Sequence, residues 1–105
     1  METKELSISV VVPTLRRPEE IEAFLRTLSE QDVLPREVIV DDGTPEDDRA
    51  TESVVERLRT SFAVDLQYLR QQGGTAVQRN TGIDVAQGSL IALLDDDVRL
   101  APNFL

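Results

Sequence analysis

The sequence predicts an α/β fold: a parallel sheet of four strands in the order 3-2-1-4, with helices on both faces. Three observations carry this. Four short apolar runs alternate with three stretches of helical period. Each crossover is long enough to require parallel neighbours and a right-handed layer. A polar cluster follows every apolar run, so the polar residues collect at one edge of the sheet.

The first strand is Ile8 to Thr14, ISVVVPT, β-branched and bounded by Pro13. Pro18 then opens a helix with Glu19 and Glu20 in its first turn, where the helix dipole favours acids. Ile21, Phe24, Leu25 and Leu28 fall on one face of it, and Leu34-Pro35 ends the unit. The second strand runs from about Glu37 to Asp41. Thr44-Pro45-Glu46-Asp47 reads as a capping box for a helix reaching Thr60, with Ala50, Val54 and Leu58 on its buried face. Val64 to Arg70 is the third strand. Gly73-Gly74 breaks the chain, and Thr75 caps a third helix through Ala76, Val77, Ile83 and Ala86, stopped by Gly88. Leu90 to Leu94, LIALL, is uniformly apolar and reads as a strand buried on both faces. Pro102 reads as the start of another helix.

The layout is Rossmann-like, and we expect residues 1–105 to form a single domain, a fragment or the first half of a larger one. A four-stranded parallel sheet ending on so apolar a strand leaves an edge uncovered, through which two copies could pair as a homodimer. The opening METKELS lacks the apolar stretch of a signal peptide, and no run approaches the length of a membrane span. The segment is expected to face the cytoplasm, with membrane association left to other parts of a full-length protein.

Composition narrows the chemistry. Asp and Glu number 20 against 11 Lys and Arg, for a net charge of −9, which argues against nucleic acid as a partner. With neither cysteine nor histidine, the chain has no disulfide, no thiolate or imidazole metal site and no Ser-His-Asp triad. Any metal is held by oxygen, which favours Mg²⁺, Mn²⁺ or Ca²⁺.

In open α/β sheets ligands sit beyond the carboxyl ends of the strands, near the switch in strand order. PTLRRP, DDGT, QQGG and DDD follow strands one to four there. The order places Asp95, Asp96 and Asp97 beside Pro13–Arg17, with Asp41 and Asp42 one strand further along. Neither G-x-G-x-x-G nor a P-loop is present, so a diphosphate would be neutralised through a metal. Each cluster has a plainer reading. DDD is either a metal site or a solvated loop, and without a ligand it is expected to be mobile because nothing obvious neutralises it. Asp41-Asp42-Gly43 either binds a ligand or makes a turn, and Gly73-Gly74 is a strand-to-helix turn that could also attract an anion. Arg79 is either a ligand contact or a surface ion pair. Asn80 lies near the buried helix face, and Gly82 permits close helix–strand packing. Arg16 and Arg17 are solvated unless a phosphate is bound.

VVVPTLRRPEEIEAFLRTLSEQ, VIVDDGT and GGTAVQRNTGIDVAQGSLIALLDDD, taken in that order, resemble the nucleotide-binding half of a family-two glycosyltransferase with the GT-A fold. The resemblance runs from about Ile8 to Leu105. It implies a nucleotide-diphosphate-sugar donor, UDP-linked or other, and inverting, metal-assisted transfer to an unknown acceptor: polysaccharide, lipid or protein. By position it implies Pro13 and Thr14 along the base pocket, Asp42 reading the base with Asp41 beside it, and Arg79 and Asn80 at the donor edge. In the D-x-D motif, Asp95 would lie near the donor and ligate the metal, Asp97 would be the principal ligand of Mn²⁺ or Mg²⁺, and Asp96 is the spacer among the donor-binding residues. The family's acceptor site and general base lie beyond the D-x-D, so no catalytic residue is assigned and the segment alone is expected to be inactive. Leu15 and Arg16 stand where the family often has an aromatic residue and Asn, removing a stacking partner for the base. Three other readings remain at this point. A nucleotidyltransferase wants a glycine-rich basic loop after strand one. A receiver module wants an acceptor Asp after strand three. The third is a pure interaction module.

Overall fold

The computed structural model describes residues 7–45 and 47–105. Seven elements alternate: β1 (Ile8–Thr14), α1 (Pro18–Ser29), β2 (Glu37–Asp42), α2 (Ala50–Arg59), β3 (Asp65–Arg70), α3 (Thr75–Val85) and β4 (Leu90–Leu93). The four strands form one parallel sheet in the order β3-β2-β1-β4, as expected from sequence.

Alternation along the strands sorts side chains onto two faces. Val10, Val12, Val38, Val40 and Leu66 point to one side, where Ile21, Phe24, Leu25 and Leu28 of α1 and Val55 of α2 close a fully buried core over them. α3 covers the other face. Its approach is set by Gly82, where a Cβ would overlap Val11 Cγ1, so the close packing expected of this glycine is what the structure shows.

Several elements depart from expectation. α2 starts at Ala50, not within the Thr44-to-Asp47 box, whose Glu46 lies outside the described residues. The Thr44 and Pro45 carbonyls are taken by Arg70 Nη1 at 2.7 and 3.1 Å, and Asp48 Oδ1 accepts from the Ala50 N–H instead. The later start turns the helix: Thr51 and Val55 are buried, Ala50 is exposed, and Val54 and Leu58 flank the core. α3 is capped by Gly74 at φ 93°, not by Thr75, and turns Gln78 and Gly82 inward while Val77, Asn80 and Ile83 are exposed. β4 is an exposed edge, with Leu90, Ile91 and Leu93 open to solvent, because α3 sits mainly over β1 and β2. Among the described residues, Pro102 to Leu105 form a turn and not a helix. The Ala101 carbonyl accepts from Gln31 Nε2 and the Pro102 carbonyl from the Asp32 N–H, which fastens this irregular segment to the loop that follows α1. No helix among the described residues is long and apolar enough to cross a membrane.

Candidate donor-binding site

β4 stops pairing with β1 at Val11, two residues before Pro13. The carboxyl end of β1 therefore stands free on that side, and Pro13 sacrifices no ladder bond to β4. Above the gap lies an open cleft of about 270 Å³, lined by Pro13, Thr14, Arg17, Gln78 and Asp95 to Asp97, with Gly74 and Thr75 at the start of α3. The structure brings together the ends of β1 and β4 and the mouth of α3, as the strand order required.

The three consecutive aspartates occupy three environments. Asp96 is buried, accepts from Thr14 Oγ1 at 2.8 Å, and faces Arg17 Nε at 3.5 Å. Its backbone carbonyl accepts from Arg99, which also reaches Glu20. Asp95 is exposed and pairs with Arg79 at 3.2 Å. Asp97 is exposed and has no hydrogen-bond or ion-pair partner among the described residues. The premise that nothing neutralises the run fails: Arg17, Arg79 and Arg99 tie it down. Asp96 is a spacer in sequence, yet in space it anchors the loop to β1.

The acidic pair after β2 also divides. Asp41 and Asp42 point to opposite faces of the sheet. Asp42 is committed within the protein, accepting from the Thr44 N–H at 2.9 Å and from Tyr68 Oη at 2.5 Å. Asp41 is fully buried, and neither carboxylate oxygen has a partner. Burial first, and the Asp42 charge second, push its pKa up to about 6. The unsatisfied acceptor is thus Asp41, whereas position alone favoured Asp42.

Gln78 escaped the sequence reading. It is buried in the first turns of α3, and its Nε2 donates to the Thr14 and Asp41 carbonyls at 3.0 and 2.7 Å. One side chain thereby fastens the carboxyl ends of β1 and β2 together at the cleft. Two carbonyl partners fix the amide's orientation, since only NH₂ can serve both. A Cβ on Gly43 would press on this amide, which accounts for glycine after the acidic pair. The available signal was spacing: Gln78 and Gly82 are four apart, on the face that meets the sheet. Arg16, by contrast, turns away from the cleft. At φ 52° it donates its N–H to Thr44 Oγ1 and pairs with Asp48.

A parallel sheet with acids, one arginine and a helix mouth around a cleft at its carboxyl edge is the arrangement in which open α/β domains hold their ligands. The sequence model described as "Glycosyl transferase family 2" matches residues 9–105, and the chain belongs to that family. It is 34% identical over 103 residues to the GalNAc(5)-diNAcBac-PP-undecaprenol beta-1,3-glucosyltransferase of Campylobacter jejuni, covering 93% of this chain and 32% of that protein. It is 33% identical to the amylovoran biosynthesis glycosyltransferase AmsB of Erwinia amylovora, covering 90% and 32%. Among solved structures it resembles S. aureus TarS 1-349 in complex with UDP, with TM-score 0.77, 26% identity, and 93% and 29% coverage. It also resembles the mannosyltransferase PcManGT of Pyrobaculum calidifontis in complex with GDP-Man and Mn2+, with TM-score 0.73, 30% identity, and 90% and 28% coverage. The chain spans about a third of the length of these curated relatives.

Proposed function

We propose that residues 1–105 bind the nucleotide-diphosphate-sugar donor and a divalent ion for an inverting sugar transfer. The observation that carries this reading is the cleft between the ends of β1 and β4, with Asp97 exposed on its wall and unpaired among the described residues. The names of relatives support the donor class, since similar structures hold UDP or GDP-Man with Mn2+.

The residues fit a hard divalent ion. No group of three or more acidic side chains is gathered as a metal site among the described residues. Asp97, with Asp95, can supply two carboxylates, and Mg²⁺ or Mn²⁺ takes its remaining ligands from phosphate oxygens and water. Neutralisation of the diphosphate leaving group is the chemistry such an ion supplies when bound. The chain's own residues do the rest. Asp96, held by Thr14 and Arg17, fixes the loop that presents Asp95 and Asp97. Gln78 holds β1 to β2 so that Pro13 and Thr14 form the wall on which the base end of the donor lies. Asp41, fully buried beneath α3 and outside the cleft's lining, keeps two acceptor oxygens that a nucleobase N–H could satisfy only if that cover shifts. Asp42, through the Thr44 N–H, shapes the turn beside it. No residue here is assigned the role of general base. By the family resemblance, the acceptor site and the group that deprotonates its hydroxyl lie beyond the D-x-D.

Calorimetric titration of Mn²⁺ and of UDP or GDP into the protein and its Asp97→Ala variant tests the reading. The variant should lose Mn²⁺ binding and most Mn²⁺-dependent nucleotide binding. Equal binding of both ligands by the variant would show the metal assignment to be wrong.

A further inference from the structure

Arg79 is held at the rim of the cleft by a single interaction. Its only hydrogen bond among the described residues runs from Nη2 to Asp95 Oδ1 at 3.2 Å, and its Nε is enclosed without a partner. The guanidinium has five N–H donors, so most of its capacity is unspent. Asp95 is 63% exposed and Arg79 41%, so the pair sits in high dielectric and is weak enough to exchange. Asp95 is also one of the two carboxylates that a divalent ion would use.

We propose that Arg79 is a displaceable counter-ion. A metal ion at Asp95 takes over that carboxylate, and the released guanidinium turns to the donor diphosphate. The inference rests on the donor-site reading above. Two cations within a few ångströms of one carboxylate repel each other, so the metal and Arg79 compete for Asp95. A diphosphate brought in with the metal removes the conflict. Its oxygens match the planar guanidinium fork, and they supply the negative charge that Arg79 loses when it leaves Asp95. Arg79 thus opposes metal binding when no nucleotide is present and supports nucleotide binding when metal is. It acts as a coupling element between two ligands, not as a fixed contact to either.

The experiment titrates Mn²⁺ at low ionic strength, reading free ion by its electron paramagnetic resonance signal, in the protein and in Arg79→Met, Arg79→Lys, Asp95→Asn, Asp97→Ala and Arg79→Met/Asp95→Asn variants. Without nucleotide, Arg79→Met should bind Mn²⁺ about two- to fivefold more tightly, the span expected for losing a half-exposed ion pair. Arg79→Lys, which keeps the charge, should stay near the parent. In the Asp95→Asn background, Arg79→Met should change Mn²⁺ affinity little, because the pair is already gone. With Mn²⁺ present, Arg79→Met should bind UDP or GDP more weakly than the parent. An equal gain in the Asp95→Asn background would show a general charge effect and overturn the exchange. Unchanged or weaker Mn²⁺ binding by Arg79→Met, while Asp97→Ala loses the ion, would overturn the exchange alone. Full Mn²⁺ binding by Asp97→Ala would overturn the underlying metal assignment and this inference with it.

Discussion

Replacing Asp41 with asparagine should stabilise the protein, and by an amount that grows with pH. The Asp41 carboxyl is fully buried without a hydrogen-bond partner, and its pKa rises from 3.8 to about 6. A shift of roughly two pH units corresponds to about 3 kcal/mol of native-state penalty on the ionised form. The sign follows from proton binding. Between about pH 4 and pH 6 the native state holds a proton that the unfolded chain has released. Stability from this group is therefore fully present below pH 3.8 and lost as pH rises through about 6. Asparagine has nearly the same shape and no charge, so it removes the dependence. Urea denaturation followed by circular dichroism from pH 4 to pH 8 should show the two proteins close at the acid end. The variant should be up to about 3 kcal/mol more stable at pH 7.5. Comparing the two cancels the contribution of the other carboxylates. A stability difference that stays flat across the range would refute the argument, because it would mean that Asp41 ionises normally in the native state. The variant should also bind nucleotide less well, since the proposed acceptor oxygens are halved.

Three further outcomes follow from the packing. Gly82→Ala should destabilise the chain by about 1–3 kcal/mol in chemical denaturation through overlap with Val11. In a Val11→Ala background the same change should instead gain up to about 1 kcal/mol of helix propensity, and failure of the sign to reverse would refute the clash. Gln78→Leu should cost about 1–3 kcal/mol, measured the same way, by stripping donors from the Thr14 and Asp41 carbonyls, and should weaken nucleotide binding by calorimetry. The exposed β4 edge should give concentration-dependent dimers in sedimentation velocity, and Ile91→Lys should abolish them; undiminished dimers would place the association elsewhere.

The order of elements and the edge carrying the site were legible because they depend on hydrophobic period and crossover length alone. The α1 face, with Ile21, Phe24, Leu25 and Leu28 buried, shows this plainly. What was not legible depended on which partner a polar group finds. Arg70, arriving from β3, takes the carbonyls that a capping box would have kept for α2. Tyr68 claims Asp42 and leaves Asp41 unsatisfied, although neighbouring aspartates look alike in sequence. Gln78 is passed over when α3 is traced through its apolar residues, whereas Gly82 brings the thinnest face of the helix onto β1 and leaves Val77 and Ile83 exposed. LIALL reads as fully buried only if both flanks are covered, and in residues 7–45 and 47–105 only Ala92 and Leu94 pack partly against the core while Leu90, Ile91 and Leu93 stay exposed.

Asp95, Asp96 and Asp97 are exposed, buried and exposed in turn, and the tight turn after β4 that the Val98 N–H closes on the Asp95 carbonyl holds them in those places. That makes the run sensitive to length before composition. Losing or gaining one residue would exchange the inner and outer places, leaving Thr14 facing a different side chain and turning a solvent-facing acid inward. Swapping one outward acid for another side chain leaves the turn intact. Natural variation at this loop should therefore proceed by replacement at fixed length, with single-residue indels held off until after Asp97.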